Sequence, residues 1–182
     1  MSVGLELPTM AQRPVLFAFL GSTIGNFDGP GAVALLHRIR EHMQPDDRLL
    51  LGTDLRKDRR VLEAAYNDAA GVTAEFNRNM LYVLNADLGA DFVPRRFEHR
   101  AFYNEKEHRI EMHLHSVGAQ TVHVPGLPPI ELRDREGIRT ELSYKYDRRA
   151  VEELSDAAGL SLTHWFVDGE SRFALSMFER TL

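Results

Sequence analysis

The stretch Val15–Phe27, VLFAFLGSTIGNF, decides the fold. Its apolar run, Val15 to Leu20, stops abruptly at a loop of Gly21, Ser22, Thr23, Ile24, Gly25 and Asn26, and helical periodicity follows. An unbroken apolar run of this length reads as a parallel strand covered on both faces. The crevice beyond the carboxyl end of such a strand is where open α/β sheets take ligands. Gly21 and Gly25 let the backbone come close to a ligand, and the Asn26 amide both donates and accepts there. The same pattern also fits an ordinary strand-to-helix turn, and the stretch alone does not choose between the two.

Pro30 sits where a first helical turn tolerates it. Beyond it, Ala32, Leu35, Leu36, Ile39 and Met43 recur at helical spacing. Arg48–Asp54, RLLLGTD, reads as a second buried strand, whose terminal Asp54 either touches a ligand or caps the next turn. Strand, helix and strand in this order predict a parallel pair with a right-handed crossover. Asp58 is placed to cap a helix carrying Leu62, Ala65 and Ala69 on one side. A second helix after Gly71 spaces Phe76, Met80, Leu84 and Leu88 by four.

From Arg100 the period becomes two. Ile110, Met112 and Leu114 alternate with Arg109, Glu111, His113 and His115, as in a half-buried antiparallel strand. Asn104–Glu107 form the turn before it, Thr121–Val124 the next strand, and Pro125–Pro129 a rigid loop. The last third returns to α/β: Asp147 caps a helix with Val151, Leu154 and Ala158 inward, and Gly159 stops it. Leu160–Val167 and Phe173–Phe178 make a hairpin around Asp168–Ser171. The expected domains are two α/β portions, 1–56 and 141–182, flanking an inserted α+β lid at 57–140.

Composition narrows the function classes. With 43% hydrophobic and 27% charged residues among 182, the chain reads as a soluble globular protein, and no apolar run is long enough to cross a bilayer. The start lacks the basic and apolar regions of a signal peptide. Zero cysteines rule out disulfides, thiol catalysis and thiolate metal sites, and fit a cytoplasmic location. A net charge of −5 with no basic block argues against nucleic acid as the main partner. His113 and His115 lie on the polar face of their strand with no third ligand nearby, so solvent exposure is expected rather than a metal site.

Four separated segments, GSTIGNF, LEAAYNDAAGVTAEFN, AFYNEKEHRIEMHL and TELSYKY, together resemble the histidine-specific Nα-methyltransferases, from about Val15 to the C-terminus. The resemblance implies trimethylation of the L-histidine α-amine with S-adenosylmethionine as donor, on the way to ergothioneine. It implies a partial doubly wound, class I methyltransferase-like sheet ending in an antiparallel hairpin, with the inserted lid binding substrate. By the same resemblance, Gly21 and Asn26 meet the amino-acid end of histidine, and Tyr66 its carboxylate. Met112 lines the imidazole pocket, while Glu141 and Ser143 hold the imidazole nitrogens.

Elementary chemistry agrees with these roles. Methyl transfer is an in-line displacement, so the protein must mainly hold a neutral amine against the sulfonium methyl; no metal, covalent nucleophile or catalytic residue is assigned. A buried glutamate accepting from an imidazole N–H makes a charge-assisted bond worth roughly 1.5–3 kcal/mol. Each residue also has a packing reading: Tyr66 at a helix rim, Met112 in the core, Glu141 and Ser143 opening the last helix.

Complete enzymes of this family carry a long region before the GSTIGN strand, with the glycine-rich turn and acidic residue that meet the donor. Met1–Pro14 contains no equivalent, so the chain is expected to be a C-terminal portion, with unassigned donor-binding residues and no activity alone. A separate N-terminal half or self-association would then complete the sheet along Val15–Leu20. The alternative is a non-catalytic remnant or histidine-binding module; a transferase for another amino acid is a third reading.

Overall fold

The apolar run of the opening stretch forms β1 (Leu16–Phe19). A computed structural model describes residues 13–181. The chain divides into two compact units, Met1–Leu55 with Tyr146–Leu182, and Arg56–Lys145. In the first unit, α1 (Gly29–His42) carries the chain from β1 to β2 (Arg48–Asp54), and the two strands pair in parallel. Asp28 caps α1 by accepting from the Gly31 amide at 2.8 Å, and Ala32, Leu36 and Ile39 are its buried residues. β8 (Leu160–Val167) and β9 (Phe173–Arg180) form the expected hairpin, and the sheet order is β1-β2-β9-β8 with β9 antiparallel to β2.

Before that hairpin, Asp147 caps α4 (Arg148–Ala157), as its sequence predicts, by accepting from the Ala150 amide. Gly159 ends the turn with φ 73°, and its carbonyl accepts from Arg40 Nε at 2.8 Å. A Cβ there would lie 2.7 Å from that same nitrogen, so a larger residue would displace the Arg40 side chain as well as strain the backbone. One expectation fails here. β1 is not buried on both faces: its residues alternate between exposed and half-buried, and Leu16 is 55% exposed. Among the described residues it is the edge strand, with β2 as its one neighbour, whereas Leu49 and Leu51 of the interior strand β2 are fully buried.

The second unit packs α2 (Arg59–Tyr66) and α3 (Val72–Leu88) on one face of an antiparallel sheet. That sheet has the order β3-β4-β7, from Phe97–Asn104, Arg109–Ser116 and Gly137–Tyr144. A separate ribbon pairs β5 (Gln120–Val122) with β6 (Ile130–Leu132), the latter not foreseen. Leu62 of α2 packs with Ala101, Tyr103, Ile110 and Met112, while Leu81 of α3 packs with Phe97 and Leu114. Among the described residues no helix is long and apolar enough to cross a membrane.

Several expectations need correction in this unit. α2 stops at Tyr66, leaving Ala65 and Ala69 exposed, because the Asn67 side chain turns away to bond both the amide and the carbonyl of Ala101 on β3. α3 fully buries Asn77 and Leu81; of the Phe76–Leu88 series Leu84 packs on the core, while Phe76 is 69% and Leu88 52% exposed. Residues spaced by four advance roughly 40° beyond a full turn at each step, so such a series spirals off a single face. Glu141 and Ser143 do not open a helix but lie in β7, which pairs with β4 as far as Tyr144. The boundary expected at residue 140 therefore falls inside a strand, and the inserted unit runs on to Lys145.

Candidate functional site

The site residues of the second unit owe their placement to one irregularity. Pairing of β4 with β7 runs Leu114 to Ile138 and His113 to Arg139, then shifts, so that Met112 faces Glu141 and Ile110 faces Ser143. Thr140 is the extra residue, its hydroxyl donating to the Met112 carbonyl at 3.1 Å. A bulge of this kind reverses which side chains of a strand point to which face. Without it, alternation from the inward Ile138 would bring Thr140 and Leu142 inward. With it, Glu141 and Ser143 share the helix-covered face with Met112 and Ile110.

There they meet the end of α2. The Tyr66 hydroxyl donates to Ser143 Oγ at 2.9 Å, and Lys145 Nζ donates to both oxygens, each at 2.9 Å. The ammonium also lies 4.9 Å from the centroid of the Tyr66 ring, a cation–π contact. Lys145 is 2% exposed and Ser143 6%. An ammonium so deeply buried is tolerable only with such partners. Met112, 2% exposed, packs in the cluster against which the Tyr66 ring rests.

Glu141 is half-buried, and its carboxylate accepts no hydrogen bond among the described residues. Burial pushes its carboxyl above the ordinary range, while the Lys145 charge pulls it back down. The unit thus brings together Tyr66, Ser143 and Lys145 in direct contact, with Met112 and Glu141 on the same face. Lys145 is the member that sequence reasoning missed. The available signal was its spacing: 141, 143 and 145 alternate as one face of a strand. With its proton given to Ser143, Tyr66 has none to give a substrate carboxylate unless that bond opens.

Gly21 and Asn26 lie in the first unit, in the loop at the carboxyl end of β1. Gly21 and Ser22 are both left-handed, at φ 77° and 58°, before a single 3-10 turn over Thr23–Asn26. Ser22 holds this unfavourable conformation while its Oγ accepts from the Asp54 amide at 2.8 Å, tying the loop to the end of β2. The buried Tyr146 hydroxyl donates to the Ile24 carbonyl at 3.5 Å. Asn26 is exposed, and its side chain makes no hydrogen bond among the described residues. A Cβ built on Gly21 would meet nothing nearer than Thr23 Oγ1 at 3.8 Å, so the backbone there is open to approach.

One of the two histidines of β4, His113, differs from expectation. His113 is not solvent-exposed: it stacks between Phe102 and His115, with ring centroids 5.4 and 5.8 Å away, and its Nε2 lies 3.3 Å from Glu111 Oε2. Glu111 also accepts from Arg109 and Asn104; burial opposes its charge, but these bonds hold its carboxyl at about 2. No group of three or more His, Cys, Asp or Glu residues able to hold a metal ion is present among the described residues.

Comparison with known proteins adds to this geometry. A family profile described as histidine-specific methyltransferase, SAM-dependent, matches residues 4–180. The chain is 45% identical over 177 residues to a histidine N-alpha-methyltransferase from Mycolicibacterium smegmatis, covering 96% of this chain and 54% of that protein. It is 29% identical to ergothioneine biosynthesis protein 1 of Neurospora crassa, covering 91% of this chain and 19% of that one. Among solved structures, the CcbJ methyltransferase from Streptomyces caelestis superposes with a TM-score of 0.50 at 12% identity. That match covers 97% of this chain and 64% of CcbJ, and shows a shared α/β methyltransferase fold. The chain spans about half the length of the curated bacterial relatives it matches.

Proposed function

Because the chain belongs to the histidine-specific, S-adenosylmethionine-dependent methyltransferase family, we propose that it serves methylation of the L-histidine α-amine and that its Arg56–Lys145 unit reads the imidazole. The observation that carries this reading is Glu141: a half-buried carboxylate without a hydrogen bond among the described residues, on one strand face with the fixed Ser143 hydroxyl. A carboxylate so placed is a ready acceptor for a ring N–H, and an apolar side chain would leave it unpaired. Met112 and the Tyr66 ring supply apolar surface on the same face.

S-adenosylmethionine supplies an electrophilic methyl group on a sulfonium. For the amino-acid end of histidine, the loop after β1 offers an open approach at Gly21 and the Asn26 amide, unbonded among the described residues. This chain's own contribution is positional: it fixes the ring end of the amino acid so that the amine is presented as a neutral nucleophile.

Calorimetry on the purified chain tests the reading. Histidine should bind in preference to leucine and phenylalanine, and Glu141→Ala should weaken histidine binding by about 2 kcal/mol, from the lost charge-assisted bond. Unchanged affinity in that variant would remove Glu141 from the site. Mass spectrometry of histidine incubated with the chain and donor reads transfer separately from binding.

A further inference from the structure

We infer that Lys145 is a positioning residue that makes Ser143 an obligate hydrogen-bond donor and so commits the site to a neutral imidazole in a single tautomer. This rests on the reading that the unit takes histidine. A serine hydroxyl has one proton and two lone pairs. Ser143 Oγ accepts from the Tyr66 hydroxyl and from Lys145 Nζ, each at 2.9 Å, which occupies both lone pairs. An ammonium only donates, so this arrangement cannot reverse at Lys145. Tyr66, whose oxygen also accepts from Lys145, sends its own proton to Ser143. What Ser143 retains is its O–H.

Two residues earlier on the same strand face, ionised Glu141 offers acceptors alone. A ligand satisfying both groups must donate at one atom and accept at another. A neutral imidazole does so with its two nitrogens, and the fixed order of donor and acceptor selects which nitrogen carries the proton. An imidazolium would set a donor against the Ser143 proton, and a phenyl ring would leave both groups unpaired. Lys145 acts through Ser143: it is 2% exposed, with its Nζ bonded to both hydroxyls and lying over the Tyr66 ring.

Nuclear magnetic resonance of ring-¹⁵N-labelled L-histidine bound to the full chain reads the protonation of each nitrogen directly. The native protein should show one protonated and one unprotonated ring nitrogen in a fixed pattern. Lys145→Met frees a Ser143 lone pair; with its amide spectrum still that of a folded chain, it should lose the fixed pattern and bind roughly tenfold more weakly. Lys145→Arg, which keeps cationic donors, should retain the pattern. Ser143→Ala provides a second variant with the ammonium in place, and should weaken binding to a similar degree while shifting the unprotonated nitrogen. A fixed native pattern in Lys145→Met or an unshifted nitrogen in Ser143→Ala overturns the inference. So does a doubly protonated ring on the native chain, which leaves the histidine reading standing. Absence of any histidine binding to the native chain overturns both.

Discussion

At the scale of single residues, Glu141 works under opposing pressures. Burial raises its pKa above the ordinary 4.5 and the Lys145 charge partly offsets this. The ionised carboxylate makes the charge-assisted bond to an imidazole N–H, so a raised pKa extends the range in which the site binds weakly. Protonating free histidine, near pH 6.5, acts in the same direction, because the bound ring is neutral. Histidine affinity is therefore expected to climb as pH rises across roughly 5.5 to 7.5, through the free ring's titration near 6.5, with ionisation of Glu141 acting in the same direction. Calorimetry across that range checks it, and in Glu141→Gln the rise should shrink to the part due to the ligand ring. A flat profile in the native chain would contradict both assignments.

At the scale of elements, β4 uses its two faces differently. The face toward α2 and α3 carries Ile110, Met112 and Leu114; the other carries a charged network centred on Glu111. Arg109 joins that network to β7 through the Tyr144 hydroxyl at 2.6 Å, and Asn104 joins it to β3. The Glu111 carboxyl is held at about 2, against 4.5 for an unperturbed glutamate. A depressed carboxyl stabilises the fold above the unfolded-state value, and that contribution drains away as pH falls from about 4.5 to 2. A shift of this size corresponds to at most about 3 kcal/mol. Urea unfolding should find Glu111→Gln less stable than the native chain at neutral pH, with the gap narrowing through that acid window. A gap independent of pH would mean that shape, not charge, is what Glu111 supplies.

At the scale of the whole molecule, the strands of the first unit differ sharply in their bonding and burial. β2 lies between β1 and β9, whereas β1 is bonded on one side only among the described residues. Edge amides with half-exposed side chains open with little loss of buried surface. Hydrogen exchange should therefore be faster for residues 16–19 of β1 than for residues 49–53 of β2. Equal protection would show that the outer edge of β1 is covered in solution.

Much of this architecture was legible in the residue order because it rests on local physics. The RLLLGTD strand, the caps at Asp58 and Asp147, the stop at Gly159 and the final hairpin follow from side-chain period and turn chemistry within a few residues. The four motifs likewise carried the family. Tertiary structure decided what depends on a neighbouring element. Asn67 ends α2 because β3 offers it a backbone partner, and α3 buries Asn77 because His99 and the His113 carbonyl receive its amide. The site itself turns on the bulge at Thr140, since one unpaired residue reverses the face of every side chain after it. Period alone assigns alternate residues to opposite faces, but only pairing with β4 sets the phase that brings Glu141, Ser143 and Lys145 to the side where Tyr66 waits.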